Sequence, residues 1–352
     1  MSDTNKYAIK SLVTRVRKKF FSWLHLTTNP VVQVYHGFGN KEHVFIFGHV
    51  FLIGSTARKK YRKRFVVNGF AMLASFLVKP FPCAHIQLVW GDMRINALAA
   101  EDGYFRFELF PEINVKAGWH ALQVHLLHPD SKQIMATGDG LVFIPHTNQY
   151  AIISDIDDTF LISHSSTVWK RLYVLLSKNA HSRKPFEDVV KHYKLLATAG
   201  TVDNIPNPFF YVSSSEWNLY FFLMEFCRQN QLPKGVYMLS QLKTIRQILQ
   251  SGQNKHQAKF MKIVRILEAY PEKKFILSGD DSQEDPNIYA AIVKHFPGKI
   301  MVVYLRRVHK PNEENVLKQI AFIKSQGVPC CYFLHSREAI SHSKEVGLLG
   351  SI

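Results

Sequence analysis

Residues 150–161 read YAIISDIDDTFL, a mostly apolar run followed by three aspartates within four positions. The segment 151–153 has the composition of a buried strand, and Asp155, Asp157 and Asp158 follow it almost at once. Like charges this close repel one another, and each carboxylate would lose its hydration if the strand entered a core. The cost of this arrangement indicates that a positively charged group neutralises the acids.

The second half of the chain, 148–352, alternates between predicted strands and predicted helices. Short apolar strands followed by segments of helical period are typical of a doubly wound parallel sheet, whose ligands bind beyond the carboxyl ends of the strands. The predicted strands are YAIIS, FFYVS, VYML, FILS, IMVVY and CYFL, and the predicted helices span 216–230, 257–269, 286–295, 313–326 and 336–345.

The first half of the chain has a shorter period. Between residues 31 and 147, apolar and polar positions alternate, and turn signals such as GFGN and TGDG separate the runs. This pattern predicts an antiparallel β-sandwich domain, with a boundary near residue 148 where the period changes. The segment 68–78 is the exception, since its composition also fits a short helix.

The chain has 352 residues, and its 44 Lys and Arg against 27 Asp and Glu give a formal charge of +17. Such a surplus favours polyanionic partners, namely nucleic acid, an anionic membrane surface or phosphorylated substrates. Residues 1–30 form an amphipathic, basic segment that suits a helix lying in a membrane interface, and a helix docked on the protein's own core fits equally. The run RKKYRKR at 58–64 is either a solvated loop or a contact for phosphates or headgroups.

No stretch approaches the roughly 20 uninterrupted apolar residues of a transmembrane helix. The basic N-terminus lacks the apolar centre of a signal peptide, since Arg15, Arg17, Lys18 and Lys19 interrupt it. The four cysteines lack zinc-type spacing and are predicted to be reduced core residues. These features predict a cytoplasmic protein, with peripheral attachment to a membrane left open.

Three predicted strands of the second half end in polar side chains. Asp155 and Asp157 close the first, Ser213–Ser215 close the second, and Asp280 and Asp281 close a later one. Carboxylates that converge at one sheet edge repel unless a cation neutralises them, and Mg²⁺ takes oxygen ligands of this kind together with a substrate phosphate. Any one strand end is explained as a turn or helix cap, but three in order predict a phosphoryl-transfer site with a carboxylate nucleophile.

These residues also resemble the four motifs of the haloacid dehalogenase phosphatase superfamily: DIDDT, a serine closing a second strand, a later lysine and GDxxxxD. Longer stretches from about 150 to 310 resemble one branch, the actin-patch-type phosphatidate phosphatase family, and the N-terminal part resembles the region before the catalytic domain of bacterial members. The stretches are NAHSRKPF (179–186), YVSSSEWNLY (211–220), KFMKIVRILEAYP (259–271), GDDSQEDPNIY (279–289) and YLRRV (304–308), with VYHGFGN (34–40), EDGYFRF (101–107) and GWH (118–120) in the first half.

The resemblance implies a haloacid-dehalogenase-like fold with a small helical cap at about 160–208, and it implies catalytic roles. Asp155 would attack phosphorus and become the phosphoaspartate. Asp157 would protonate the leaving alkoxide and then activate water, with Thr159 orienting Asp157 or its loop. Ser213 and Lys259 would bind phosphoryl oxygens.

The resemblance also implies a magnesium site. Its ligands would be Asp155, Asp280 and the backbone carbonyl of Asp157, with Asp285 a further ligand or an anchor behind them. The family more often has Ser-Gly where Asp281 and Ser282 stand, so the extra acid could replace or disturb a ligand.

Further residues match the family pattern less decisively. Ser214, Arg183 and Arg306 would bind substrate, although a structural ion pair explains either arginine equally well. Lys255 competes with Lys259 for the motif lysine, and Lys259 has the family's spacing to the Tyr-Pro pair at 270–271.

The function implied is a Mg²⁺-dependent phosphatase that converts phosphatidate to diacylglycerol and phosphate. A small cap suits a substrate that remains in a membrane. One alternative keeps the chemistry on a nucleic-acid end or a soluble phosphoester, although the chain shows no recognisable nucleic-acid module. The other is a non-catalytic membrane adaptor, against which the intact set of site residues argues.

Overall fold

The computed structural model describes residues 26–27, 29–55, 79–110, 115–146, 150–156, 188–201, 205–240, 255–281, 284–308 and 313–349. The predicted N-terminal helix, the basic run at 58–64 and the segment 68–78 therefore lie outside the described residues, as does most of the predicted cap.

In the described part of the first half, ten strands form one hydrogen-bonded network in the order β1-β4-β3-β10-β9-β6-β7, with β2, β5 and β8 also paired to β4. The contact of β3 with β10 is parallel, and the other pairings described there are antiparallel. The strands are β1 (Leu26–Thr27), β2 (Val31–Val34), β3 (Gly37–Gly39), β4 (Val44–Ser55), β5 (Lys79–Pro80), β6 (His85–Trp90), β7 (Met93–Leu98), β8 (Tyr104–Leu109), β9 (Gly118–Leu127) and β10 (Ile134–Ile144).

The alternation in the sequence corresponds to burial on one face of these strands. In β8, Phe105, Phe107 and Leu109 are buried, whereas Arg106 and Glu108 between them are exposed. Buried side chains of β2, β4, β6, β9 and β10 join the same apolar cluster. The predicted antiparallel strands are therefore present, while their division into the two layers of a sandwich stays a prediction.

In the described part of the second half, six strands form an all-parallel sheet in the order β13-β12-β11-β14-β15-β16. The strands are buried throughout most of their length, as expected where helices cover a parallel sheet. They are β11 (Ala151–Asp155), β12 (Phe209–Glu216), β13 (Val236–Ser240), β14 (Phe275–Asp280), β15 (Ile300–Arg306) and β16 (Cys330–Phe333). The helices are α1 (Val189–Thr198), α2 (Tyr220–Gln229), α3 (Lys255–Ala269), α4 (Asp285–His295), α5 (Glu313–Ser325) and α6 (Ser336–Glu345).

The six strands and five helices that the alternation predicts for the second half are present, with small shifts of their ends. Helix α2 begins at Tyr220 rather than at residue 216, because β12 continues to Glu216 and a 3₁₀ turn at Trp217–Leu219 follows it. The mixed α/β architecture with a parallel sheet is confirmed. The specific haloacid-dehalogenase-like topology stays a prediction.

Helix α1 lies in a segment that the sequence assigned to the cap. Its buried face, which includes Val189, Tyr193 and Leu196, belongs to the apolar core of the parallel sheet. Its side chain His192 is hydrogen-bonded to Ser343 of α6. The described end of the presumed cap is therefore part of the sheet layer, and residues 157–187 lie outside the described part of the chain.

The two halves share a buried boundary. Tyr35 stacks on Trp217 with ring centroids 4.1 Å apart, and Nδ1 of His36 donates to the Gly235 carbonyl at 2.8 Å. Tyr35, Phe38 and Phe47 belong to the apolar core of the parallel sheet. The first half thus supports the strands that carry the site.

No helix among the described residues is long and apolar enough to cross a membrane. All four cysteines are free thiols. Cys227 and Cys330 are buried and Cys331 is partly buried, but Cys83 is exposed in the turn before β6. The prediction of a core position is therefore wrong for Cys83, because that turn places its side chain outside the sheet.

Candidate active site

The predicted acids and serine meet at the carboxyl edge of three adjacent strands. Asp155 is the last residue of β11, Asp280 is the last residue of β14, and Ser213 lies near the end of β12. The register pairs Asp155 with Val212 of β12 and Ser154 with Ser278 of β14, which brings all three side chains to the same edge. Asp155, Ser213 and Asp280 are fully buried. The sheet rule therefore predicted this convergence correctly.

Lys259 of α3 joins two of the carboxylates. Its Nζ lies 2.9 Å from Oδ1 of Asp155, and it also forms an ion pair with Asp285. Burial by itself would lower the pKa of Lys259, but the carboxylates of Asp155 and Asp285 outweigh burial and hold the pKa above its ordinary value. Lys259 is therefore a permanent cation at the strand ends. Of the competing lysine, Lys255, the structure describes the backbone alone.

Asp285, the first residue of α4, reaches back to the end of β14. Its carboxylate receives the Lys259 ammonium and a long hydrogen bond of 3.4 Å from the Asp280 amide. Gly279 makes this approach possible, since a Cβ there would collide with the Asp285 carboxylate and lie 2.7 Å from the Tyr289 hydroxyl. These contacts make Asp285 an anchor of the lysine in the structure.

The three serines at the end of β12 form a bulge. Val212 pairs with Met238 and Glu216 pairs with Ser240, so β12 carries extra residues between these pairs. The Ser215 amide donates to Oγ of Ser213 at 2.8 Å. Ser214 is partly buried within the same bulge.

Lys262 also reaches the serine bulge, and the sequence analysis did not single it out. Its Nζ donates to the Ser213 carbonyl at 2.7 Å and to the Ser240 hydroxyl at 2.9 Å. The available signal was its spacing, since residues three apart lie on the same face of a helix and Lys259 is three residues earlier.

Asp281 binds groups on neighbouring strands. Its Oδ1 accepts the Val308 amide and its Oδ2 accepts the Tyr332 hydroxyl, both at 2.7 Å. Burial and the adjoining carboxylate raise the pKa of Tyr332 above its ordinary value. The extra acid therefore ties the ends of β14, β15 and β16 together.

Arg306 is buried at the end of β15. Its guanidinium donates to the Leu334 carbonyl at 3.1 Å and to the Ser336 hydroxyl at 2.5 Å, and it lies 4.8 Å from the ring centroid of Phe333. These contacts connect β15 with the turn before α6, and substrate binding by Arg306 stays a prediction. The remaining predicted site residues, Asp157, Thr159 and Arg183, lie outside the described residues, as does Asp158.

A hydroxyl network lies beneath Asp155. Oγ of Ser154 donates to the Asp155 carbonyl at 2.9 Å, and the Tyr193 hydroxyl lies 2.8 Å from that Oγ and 3.0 Å from Oγ of Ser278. Burial raises the pKa of Tyr193 to about 12. Helix α1 thereby braces β11 against β14 directly below the site.

The side-chain donors described at the strand ends are hard oxygen atoms. Within the described ranges, no group of three or more His, Cys, Asp or Glu side chains is placed to hold a metal ion. Asp155 and Asp280, however, supply hard carboxylate oxygens at the ends of neighbouring strands. Mg²⁺ characteristically takes one or two protein carboxylates and completes its shell with water and substrate phosphate. The described donors therefore fit Mg²⁺ and do not fit a soft metal that needs thiolates.

Known proteins resemble this part of the chain in sequence. Residues 150–307 match the family described as "Phosphatidate phosphatase APP1, catalytic domain". The chain is 32% identical over 159 residues to phosphatidate phosphatase APP1 of Saccharomyces cerevisiae, an alignment that covers 44% of this chain and 25% of that protein. It is 22% identical over 217 residues to an uncharacterized protein of Schizosaccharomyces pombe, covering 60% and 34% respectively. The chain thus spans only a minor part of the length of either relative.

Solved structures resemble the chain weakly. A carbohydrate acetylesterase from Xanthomonas citri is 10% identical, with 90% of this chain and 72% of that chain covered and a TM-score of 0.31. A β-glucuronidase from Ruminococcus gnavus is 8% identical, with 87% and 53% covered and a TM-score of 0.29. Likenesses this weak carry no argument about the fold or the activity.

Proposed function

We propose that this chain is a phosphatase that hydrolyses the phosphomonoester of a lipid, phosphatidate, to diacylglycerol and phosphate, with Mg²⁺ and a phosphoaspartate on Asp155. The observation that carries the proposal is the buried Asp155 at the end of a central strand, with the Lys259 ammonium 2.9 Å from its carboxylate. Asp280 ends one neighbouring strand, and Ser213 lies near the end of the other. The match of residues 150–307 to a phosphatidate phosphatase catalytic domain supports the same reaction.

The described residues would first bind the phosphoryl group. The Ser213 hydroxyl donates to one of its oxygens, and the Lys259 ammonium turns from Asp155 toward the incoming negative charge. Asp285 continues to hold Lys259 during this exchange, because its ion pair approaches the ammonium from α4. We assign Asp285 this anchoring role rather than that of a metal ligand.

Two displacements at phosphorus then complete the reaction. An Asp155 carboxylate oxygen forms a bond to phosphorus while the bond to the glycerol oxygen breaks, and Asp157 gives its proton to that oxygen. Water next attacks the phosphorus of the phosphoaspartate, Asp157 takes the proton from the water, and inorganic phosphate leaves with Asp155 restored. Thr159 is assigned to orient Asp157 during both transfers.

Asp155, Asp280 and the backbone carbonyl of Asp157 would hold Mg²⁺. When bound, the ion offsets the charge of the carboxylates and of the phosphoryl oxygens. We propose in addition that the parallel sheet and its helices form a haloacid-dehalogenase-like fold.

The lipid assignment rests on the name of the similar yeast protein and on the positive charge of the chain. An anionic membrane surface would then concentrate the protein at its substrate. Binding to vesicles that contain phosphatidate should weaken as salt is raised, because salt screens headgroup attraction. Deleting residues 1–25 should weaken it further, and salt-independent binding by both proteins would contradict membrane attraction.

The decisive assay measures phosphate release from phosphatidate in mixed micelles, from para-nitrophenyl phosphate and from a 3′-phosphorylated oligonucleotide. Each substrate is tested with Mg²⁺, with chelator and with Asp155→Asn. Release that favours phosphatidate and disappears with chelator and in the variant supports the proposal. Release confined to the other two substrates would remove the lipid assignment, and no release from any of them would overturn the phosphatase.

A further inference from the structure

Lys262 is a buried lysine at the edge of the site, and the reaction described above gives it no role. Lys262 is 9% exposed, and its side chain leaves α3 on the same face as Lys259. The ammonium donates to the Ser213 carbonyl on β12 and to the Ser240 hydroxyl at the end of β13. Lys262 therefore joins one helix to two strand ends beside the proposed phosphate site.

The serine bulge, residues Ser213–Ser215, is the element that Lys262 holds. A bulge re-aims side chains relative to a regular strand, and this bulge carries the Ser213 hydroxyl, to which the proposed function assigns phosphate binding. The carbonyl that Lys262 binds and the hydroxyl that would bind substrate belong to the same residue, Ser213. A shift of that carbonyl would therefore also shift the hydroxyl.

The contacts also connect both proposed phosphate-binding groups, Lys259 and Ser213, to the same helix, α3. Lys259 approaches Asp155 directly from α3, and Ser213 is tied to α3 through Lys262. Hydrogen bonds from an ammonium are stronger than those between neutral groups, and burial strengthens them further. Helix α3 thus sets the distance between the two groups.

We propose that Lys262 is a positioning residue of the phosphatase site, which fixes the serine bulge so that the Ser213 hydroxyl faces the substrate phosphoryl group. This inference rests on the proposed function. Lys262 itself contacts no reacting atom in this assignment and acts through Ser213. The positioning role predicts that substitutions of Lys262 and Ser213 have non-additive effects on kcat/KM.

A double-mutant cycle on kcat/KM for para-nitrophenyl phosphate measures that coupling. Lys262→Met and Ser213→Ala should each lower kcat/KM by about tenfold or more, since each removes or misplaces a charge-assisted contact. The double variant should be no worse than Ser213→Ala, because Lys262 has nothing left to position. Losses that multiply would overturn the positioning role.

Lys273→Met is the matched control. Lys273 is also buried and donates to a backbone carbonyl, that of His146, but it precedes β14 at the opposite edge of the sheet. This variant should keep kcat/KM even if its unfolding temperature falls. Equal losses of kcat/KM in Lys273→Met and Lys262→Met would show a general effect of removing a buried lysine and would overturn the inference.

A binding readout separates this inference from the proposed function. In an Asp155→Asn background, calorimetry with inorganic phosphate should show about tenfold weaker binding after Lys262→Met, and unchanged affinity would overturn the role of Lys262. Absence of turnover by the wild-type protein would overturn the phosphatase itself. Multiplicative losses in an active enzyme would overturn only the positioning role.

Discussion

The Nζ atom of Lys259 lies 2.9 Å from Oδ1 of Asp155, and both side chains are buried at the carboxyl edge of the parallel sheet. The same ammonium is ion-paired with Asp285, which approaches from the following helix. One cation therefore lies between a carboxylate that ends a strand and a carboxylate that begins a helix, and it offsets part of their charge. This relationship lowers the cost of burying these acids before any substrate is bound.

Replacing this cation should damage both activity and stability. Lys259→Met should lower kcat by about a hundredfold or more, because charge on the phosphoryl group loses its buried donor. The free energy of unfolding should fall by about 3–5 kcal/mol, because the partner carboxylates stay buried without the ammonium. Phosphate release and urea unfolding measure the two effects. Lys294→Met is the control, because Lys294 is an exposed lysine of α4. A folded Lys259→Met protein with normal kcat would contradict the role assigned to Lys259.

Gly279→Ala tests the close approach of Asp285 to β14. The added Cβ would collide with the Asp285 carboxylate, so the anchor of Lys259 must move and kcat should fall. Gly298→Ala is the control, since its φ of +72° strains an alanine but nothing lies within 4 Å of the new Cβ. The control should lose about 1 kcal/mol of stability without loss of kcat. Equal kcat values for the two variants would show that the approach has no catalytic consequence.

Tyr193→Phe tests the hydroxyl network beneath Asp155. Loss of the hydroxyl removes its hydrogen bonds to the buried hydroxyls of Ser154 and Ser278. The free energy of unfolding should therefore fall by about 1–3 kcal/mol. Hydrogen exchange of the β11 and β14 amides should become faster. Tyr211→Phe is the control, since the Tyr211 hydroxyl donates elsewhere, to the Pro233 carbonyl. This variant should leave the hydrogen exchange of the β11 and β14 amides unchanged. Identical exchange in both variants would argue against bracing by α1.

Stability should depend on pH through two buried histidines, His36 at the boundary of the two halves and His49 beside Tyr35 in the first half. Burial lowers the pKa of His36 to about 4, and burial likewise lowers the pKa of His49 to about 4. Between pH 6.5 and 4 the unfolded chain binds protons that the folded chain excludes, so stability falls as pH decreases through this window. Each histidine contributes on the order of 3 kcal/mol across it.

His36→Asn provides the test of that pH dependence. The asparagine amide can still donate to the Gly235 carbonyl, but it does not titrate. Urea unfolding at pH 5 and pH 7.5 should therefore show a smaller difference for the variant than for the wild-type protein. An unchanged difference would assign the pH dependence to other groups.

Local sequence pattern predicted most of the secondary structure in the second half. The apolar run at 151–153 became a buried strand, and the helical period at 313–326 became α5. The start of α2 shifted because the bulge and turn after Val212 depend on pairing with β13, which local period does not encode. Helix α1 lies where a helical cap was predicted, but its place against the sheet was not predicted, because the burial of Tyr193 and Leu196 is explained only by the sheet on which they pack.

Local pattern was enough to predict that polar groups from three strands would lie at one edge of the sheet. Apolar runs ending in Asp155, Ser213 and Asp280 give parallel strands, and the ends of parallel strands share an edge. Other contacts could be learned only from the folded chain. Lys259 bridges Asp155 to Asp285, Lys262 holds the serine bulge, and Asp281 binds Val308 and Tyr332. The physical reason is that strand positions follow from local period, whereas the partner of a buried charge follows from packing between segments far apart in the chain.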